Sequence, residues 1–339
     1  MKNSVLQTHH LDIGYKQARR AAKVVVSDID VTLHAGELAC LIGPNGAGKS
    51  TLMRTLAGMQ PALAGKVSLL GEAVGSLNPR EMARRLGIVL TERQDVGKLT
   101  AYELVALGRY PHTDWTGRLS EDDERAIQAG IEAVGAVDLA ARQVSELSDG
   151  ERQKVMIARA LAQEPAVILL DEPTAYLDLP RRVEIMATLR TLAHQTGRAI
   201  LLSTHDLDLA LRTADTLWLL PKGGPLMIGA PEHLVLNGAL AEAFRSEGVE
   251  FDLQTGSFRM VAHQIGEIGL IGEGVVAIWT ARALERLGFR VVMNPIDEMN
   301  QIKITPDGQH WVYYSDGETQ IVDSIQALVQ LLKNINTAL

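Results

Sequence analysis

Two hydrophobic rhythms alternate along the chain. Short runs that are apolar at nearly every position end at Ile42, Leu90, Leu170 and Ser203. Such runs predict strands buried on both faces. Between them, apolar residues recur at helical spacing. This holds in LMRTLAG (52–58), from Tyr102 to Ala141 with a polar break around Pro111 to Ser120, in ERQKVMIARALAQ (151–163), and from Arg181 to Gln195. Pro165 closes the third of these helices. Strands alternating with helices predict a parallel sheet wrapped by helices. The first 35 residues differ. Val5 to Asp12 alternates weakly and Val24 to Leu33 is rich in β-branched residues, so both predict strands, with the basic stretch Lys16 to Lys23 as a solvated turn between them.

The pattern changes around residues 245–263. Beyond it come a glycine-rich stretch (Gly266, Gly269, Gly272, Gly274), a helix from Val275 to Leu287 and a strand from Arg290 to Met293. Short strands around Ile302 and Trp311 and a closing helix from Ile321 to Lys333 follow. The expected domains are 1–250 and 264–339, the second a small α+β module. No internal repeat and no low-complexity tract is visible.

Composition narrows the class. Apolar residues are 46% and charged residues 22%, enough for a packed core. The net charge of −8 disfavours a duplex-binding surface, which needs positive potential against phosphates. The single cysteine, Cys40, excludes an internal disulfide and a multi-cysteine zinc site, and its strand position predicts a small buried apolar residue. No uncharged stretch approaches the roughly 20 apolar residues of a membrane-spanning helix. The first residues lack an apolar h-region, so no secretory leader is expected.

Chemistry concentrates where apolar runs end. Leu38 to Ile42 opens into Gly43-Pro44-Asn45-Gly46-Ala47-Gly48-Lys49-Ser50, followed by Thr51 and a helix. This fits G-x-x-x-x-G-K-[ST] in full. Glycines let backbone N–H groups curl around phosphates, and the helix adds its positive end. Lys49 is placed to reach the β- and γ-phosphates, and Ser50 to offer a hydroxyl to Mg²⁺. Ile168-Leu169-Leu170 delivers Asp171 to the Mg²⁺ side. Glu172 follows as a base for an attacking water.

Taken in order, these motifs resemble the ATPase subunits of ABC transporters. Leu147-Ser148-Asp149-Gly150-Glu151 resembles the LSGGQ signature, and the match continues through ERQKVMIARALAQEP, DEPTAYLD and LLSTHD. Tyr15 in LDIGY matches the adenine-stacking aromatic. The stretch ALGRYPHTDWTGRLSEDDERAI resembles the subunits that drive import of iron–siderophore complexes, haem and vitamin B12. The resemblance covers residues 5–245. It implies an α/β P-loop ABC-type ATPase domain with a core parallel sheet, an antiparallel β subdomain and a helical subdomain, followed by the small C-terminal α+β domain. It implies ATP and Mg²⁺, and a head-to-tail homodimer. In that dimer Ser148, Asp149, Gly150 and Glu151 of one subunit reach the nucleotide held on Lys49 of the other. Asp178 would contact the opposite subunit, and His205 would bond the γ-phosphate beside Glu172. The resemblance also implies integral-membrane permease subunits docking on Thr100 to Thr113, a solute-binding protein, and a place on the cytoplasmic face of the inner membrane.

Three positions depart from the family pattern. Asp149 replaces a glycine and is expected to face solvent while Gly150 keeps the close approach. Glu151 replaces glutamine. Glu92 in LTERQD stands by strand distance where the family has a glutamine that bonds Mg²⁺, with Gln94 as the alternative. His9, His10, His112, His194, His233, His263 and His310 show no ligand spacing.

Two function classes remain at this point. One is the ATPase subunit of an importer. The other is a non-transport ABC ATPase acting on nucleic acid or ribosomes, which the acidic charge, the single ATPase half and the absence of heptads disfavour. Gly272-Glu273-Gly274-Val275-Val276-Ala277 fits G-x-G-x-x-A, but a dinucleotide fold needs more strands than this module provides. A regulatory or dimer-stabilising role and a plain structural extension both stay open for it.

Overall fold

The computed structural model describes residues 3–16, 22–90, 97–246, 249–253, 256–260, 265–295, 300–315 and 318–337. The chain folds as two compact units, Met1–Arg245 with Phe251–Ser257, and Ser246–Glu250 with Phe258–Leu339.

The strands of the first unit are β1 (Ser4–Tyr15), β2 (Lys23–Ile29), β3 (Thr32–His34), β4 (Leu38–Ile42), β5 (Ala64–Leu69), β6 (Glu72–Ala73), β7 (Leu86–Val89), β8 (Val167–Asp171), β9 (Ala199–Ser203), β10 (Thr216–Leu219) and β11 (Met227–Gly229). Its helices are α1 (Lys49–Leu56), α2 (Pro79–Arg85), α3 (Ala101–Ala106), α4 (Glu121–Ala133), α5 (Asp149–Ala162), α6 (Leu179–Thr196), α7 (Leu207–Thr213), α8 (Pro231–Leu236) and α9 (Ala239–Ala243). The core sheet has the order β11-β10-β4-β9-β8-β7, parallel throughout except for β11. Every residue of β4 and of β9 is buried, which is why both read as unbroken apolar runs. A second, antiparallel sheet pairs β1 with β2, β3 and β5, and β5 with β6. One cluster joins the two sheets, with Leu6, Ile13, Leu33, Leu52, Leu169 and Trp218 among its buried members.

The region from 101 to 146 is more broken than its helical spacing predicts. Only α3 and α4 are α-helical there, joined through a 3₁₀ turn at Leu107–Arg109 and followed by two more at Val137–Leu139 and Val144–Glu146. Thr100, Ser120 and Ser148 each open a helix with a reciprocal capping box, to Glu103, Asp123 and Glu151. These caps fix where each short helix starts. The buried Arg109 ties the pieces together. It donates from Nε to Asp123 (2.8 Å) and from Nη1 to the Ala162 carbonyl and Glu164 (2.7 Å each).

The hairpin β12 (Val249–Asp252) and β13 (Ser257–Met260) occupies the stretch where the chain passes between units. The second unit holds β14 (Gly266–Ile271), α10 (Gly274–Arg286), β15 (Phe289–Met293), β16 (Gln301–Ile304), β17 (Trp311–Ser315), β18 (Glu318–Val322) and α11 (Ile325–Thr337). Its sheet order is β15-β14-β16-β17-β18, with β14 parallel to both neighbours and the remaining pairs antiparallel. Ile268, Leu270, Leu284, Ile302, Trp311 and Leu328 form its own core. Inside that core Trp311 Nε1 donates to Thr280 Oγ1 at 2.8 Å.

Candidate active site

Parallel neighbours put their carboxyl ends on one edge of a sheet. Here β4, β9 and β8 lie side by side, with Leu41 opposite Ser203 and Ser203 opposite Asp171. Strands sit about 4.8 Å apart, so the glycine-rich loop after β4, Thr204-His205 after β9 and Asp171-Glu172 after β8 meet. Chain order scatters these groups, and strand order brings them together.

The loop is drawn in by its own lysine. Lys49 Nζ donates to the Gly43 carbonyl at 2.8 Å and to that of Pro44 at 3.3 Å. Burial pulls the Lys49 ammonium below its ordinary range, although Glu172 and Asp171 lie near enough to oppose the shift. Tyr15 meets the same loop from β1, its hydroxyl 2.9 Å from Thr51 Oγ1.

Ser203 organises the acid side, and the motif reading gave it no role. Its Oγ donates to Asp171 Oδ1 at 2.6 Å and accepts from the Glu172 N–H at 2.9 Å. Glu172 has a left-handed backbone, φ 50°, and its Oε1 lies 2.6 Å from His205 Nε2.

An open cavity of about 480 Å³ joins these parts. Tyr15, Asn45, Gly46, Gly48, Lys49, Ser50, Thr51, Glu172 and His205 line it, together with Lys23, Val24, Val25, Lys222 and Gly223. Lys222 was not visible from sequence. Its turn follows β10, and only the pairing of β10 with β4 sets it beside the loop. Asp171 borders a small neighbouring recess with Met53, Met59 and Leu169. Glu92 and Gln94 fall within residues 91–96, outside the described residues, as does most of the basic stretch Lys16 to Lys23.

Ser148, Asp149, Gly150 and Glu151 are not among the residues lining the cavity. They form the first turn of α5, where Ser148 is the N-cap, Asp149 is exposed and Gly150 is buried. Asp178 caps α6, its Oδ1 accepting from the Arg181 N–H at 3.1 Å.

A polyphosphate-sized cavity with a buried cation, a glycine-rich loop, hydroxyls and a carboxylate–imidazole pair fits nucleotide chemistry. Known proteins agree. Residues 26–175 match the family model described as ABC transporter, and residues 265–333 the one described as iron ABC transporter C-terminal domain. An uncharacterized ABC transporter ATP-binding protein of Methanocaldococcus jannaschii is 41% identical over 256 residues, 76% of this chain and 87% of that protein. The chain belongs to the ABC transporter ATP-binding family.

Other members of this family extend the comparison. The iron(3+)-hydroxamate import ATP-binding protein of Bacillus subtilis is 37% identical, over 71% of this chain and 87% of its own. The cobalamin import ATP-binding protein of Halobacterium salinarum is 33% identical over 85% of this chain and 74% of its own, a match longer than the first unit alone. Among solved structures, an inward-facing transporter described as of the metal-chelate type aligns with a TM-score of 0.61. It is 26% identical and covers 71% of this chain and 89% of that one. The fold is therefore the ABC ATPase cassette, and this ABC ATPase subunit hydrolyses ATP to power transport. Among the described residues no helix is long and apolar enough to cross a membrane.

Proposed function

We propose that this ABC ATPase drives import of an iron–siderophore complex or a related metal chelate such as haem or cobalamin. It works as a homodimer on the cytoplasmic face of the inner membrane, beneath integral-membrane permease subunits served by a solute-binding protein. One observation carries the dimer. The nucleotide cavity and the signature turn lie on one chain yet do not meet, so a second copy completes each site. The chelate class rests on the named relatives and on the matched C-terminal domain.

In this reading Gly43 to Thr51 wraps the phosphates with backbone N–H groups. Tyr15 stacks on the adenine, and Lys49 bonds the β- and γ-phosphates. Ser50 and Asp171 offer hard oxygen donors, the ligand type Mg²⁺ takes, and Glu92 is the candidate for a third by its sequence distance from β7, with Gln94 as the alternative. Bound Mg²⁺ would neutralise charge on the β- and γ-oxygens. Glu172 accepts the proton of the attacking water, and His205 holds that water's approach line from the neighbouring strand end. Ser148 and the N–H groups at Gly150 reach the γ-phosphate of the partner copy, with Asp178 at the junction. Nucleic acid has no place in this scheme, in line with the net charge of −8.

The test is purification of the chain with its permease, ATPase measurement with and without chelate-loaded binding protein, and mass spectrometry of the bound solute. Stimulated hydrolysis and a metal chelate in the complex are expected. An organic solute without metal would overturn the chelate class.

A further inference from the structure

The first turn of α5 carries an electrostatic conflict. A helix start favours an anion, and in the dimer this one faces the partner's polyphosphate. Yet Asp149 and Glu151 place two carboxylates in that turn. Asp149 is exposed, but Glu151 is turned inward onto the cap itself. Its Oε2 accepts from the Ser148 N–H and from the Ser148 hydroxyl, each at 2.8 Å. The hydroxyl proton is thus committed to a neighbouring carboxylate.

Among the described residues Arg142 is the cation in an ion pair with Glu151, while Arg181 lies within weaker electrostatic reach of it. Arg142 Nη1 lies 3.0 Å from Glu151 Oε1, and Arg142 Nη2 donates to the Glu146 carbonyl at 3.1 Å. The Arg142 backbone is pinned as well. Its N–H donates to Leu139 and its carbonyl accepts from Ala101, both at 2.9 Å. The guanidinium therefore reaches Glu151 from a fixed base. Arg181, whose stem faces Gly150, is paired with Glu184 at 2.8 Å. The hydrogen bonds from Ser148 hold the Glu151 carboxyl below its usual range, so the charge to be cancelled is present at neutral pH.

We propose that Arg142 is a positioning residue for the partner-facing signature turn. By pairing with Glu151 it cancels the carboxylate beside Ser148 and holds the cap, so the start of α5 stays an anion site for the nucleotide bound by the second copy. This rests on the trans-site reading above. Arg142 acts through Glu151 and needs no contact with the nucleotide.

The test uses the full chain carrying Glu172→Gln, which should form a lasting dimer with MgATP. Its dissociation constant is read by analytical ultracentrifugation, and thermal melting checks that each variant is folded. Adding Arg142→Ala should weaken the dimer about tenfold, because two signature turns each lose a fewfold. Adding Glu151→Gln on top should restore it to within about twofold of the parent, since the unpaired charge is gone. An unchanged dissociation constant in Arg142→Ala overturns the proposal. So does a tenfold loss that Glu151→Gln leaves in place, which would assign Arg142 another role. A parent chain that stays monomeric with MgATP overturns the trans-site reading itself, a result distinct from either.

Discussion

His205 Nε2 sits 2.6 Å from Glu172 Oε1, although 32 positions of sequence separate them. The two residues lie just beyond the ends of adjacent parallel strands, and Ser203 fixes the Glu172 backbone from the His205 side. The left-handed φ of 50° at Glu172 aims its carboxylate across the gap, a strained turn of the sort that persists where neighbours over-determine it.

The pair predicts a separation of binding from turnover. Glu172→Gln should keep ATP affinity within a fewfold, because the glycine-rich loop and Lys49 are untouched, and lower kcat by at least 100-fold. His205→Ala should lower kcat with a similarly small effect on affinity. Calorimetry for binding and phosphate release for turnover check both. Hydrolysis at the unmutated rate in either variant would remove that residue from the chemistry.

Two glycines of one loop should respond differently to the same substitution. A Cβ on Gly43 would stand 2.1 Å from the Leu220 carbonyl oxygen, a backbone atom that cannot swing aside. Gly46 has φ +78° and open space around the added carbon. Gly46→Ala should therefore cost only about 1–2 kcal/mol of left-handed strain. Gly43→Ala should displace the loop from β10, lower Tm further and abolish ATP binding. Equal melting curves and equal affinities for the two variants would contradict this geometry.

How much was legible beforehand follows from how local each signal is. The loop Gly43 to Thr51 and the acids Asp171-Glu172 were readable because one short segment holds the whole pattern. The parallel sheet was readable because β4, β8 and β9 are buried on both faces. Ser203 and Lys222 gave no signal, since their importance comes from strand order, a property of segments far apart. The antiparallel partners β5 and β6 went unread for a related reason. Ala64–Leu69 is exposed over its first half, so half of its alternation is missing. In the second unit the closing helix starts at Ile325 rather than the expected Ile321, because Ile321 and Val322 belong to β18, a strand exposed along a sheet edge that leaves no alternation to read.

Acid should weaken the region around α4 only below about pH 4. Burial by itself raises a carboxylate, but the N–H and hydroxyl of Ser120 and the guanidinium of Arg109 outweigh it and hold Asp123 at about 2. The folded value is below the unfolded one, so this stabilisation is full above about pH 4 and is lost as pH falls toward 2. Asp123→Asn should cost about 3 kcal/mol at neutral pH, because Arg109, 4% exposed, loses one of its two carboxylate partners. Its melting temperature should also depend less on pH between 4 and 2 than that of the unmutated chain. Parallel curves would mean that Asp123 is not the group titrating there.

Under the proposed function, Tyr110 and Trp115 are candidates for the surface that meets the permease. Trp115 is 95% exposed and Tyr110 is 79% exposed, and no core packing among the described residues would be lost with either ring. The backbone beneath them is held. Arg80 and Arg84 both donate from Nε to the Pro111 carbonyl, at 2.8 and 2.9 Å, and His112 Nε2 lies 3.0 Å from the Gln163 carbonyl. Gln163 precedes Glu164 and Pro165, which lead directly into β8 and so to Asp171 and Glu172. A rigid seat, outward-facing rings and a short path to the acids together suit a surface that a membrane partner presses upon. Tyr110→Ala with Trp115→Ala should leave hydrolysis by the isolated chain within twofold of the unmutated rate, because neither ring touches the cavity or a buried core. The same variant should lose at least tenfold in permease-stimulated hydrolysis and in recovery with the permease on purification. If recovery and stimulation both survive the double substitution, the permease docks elsewhere on this unit.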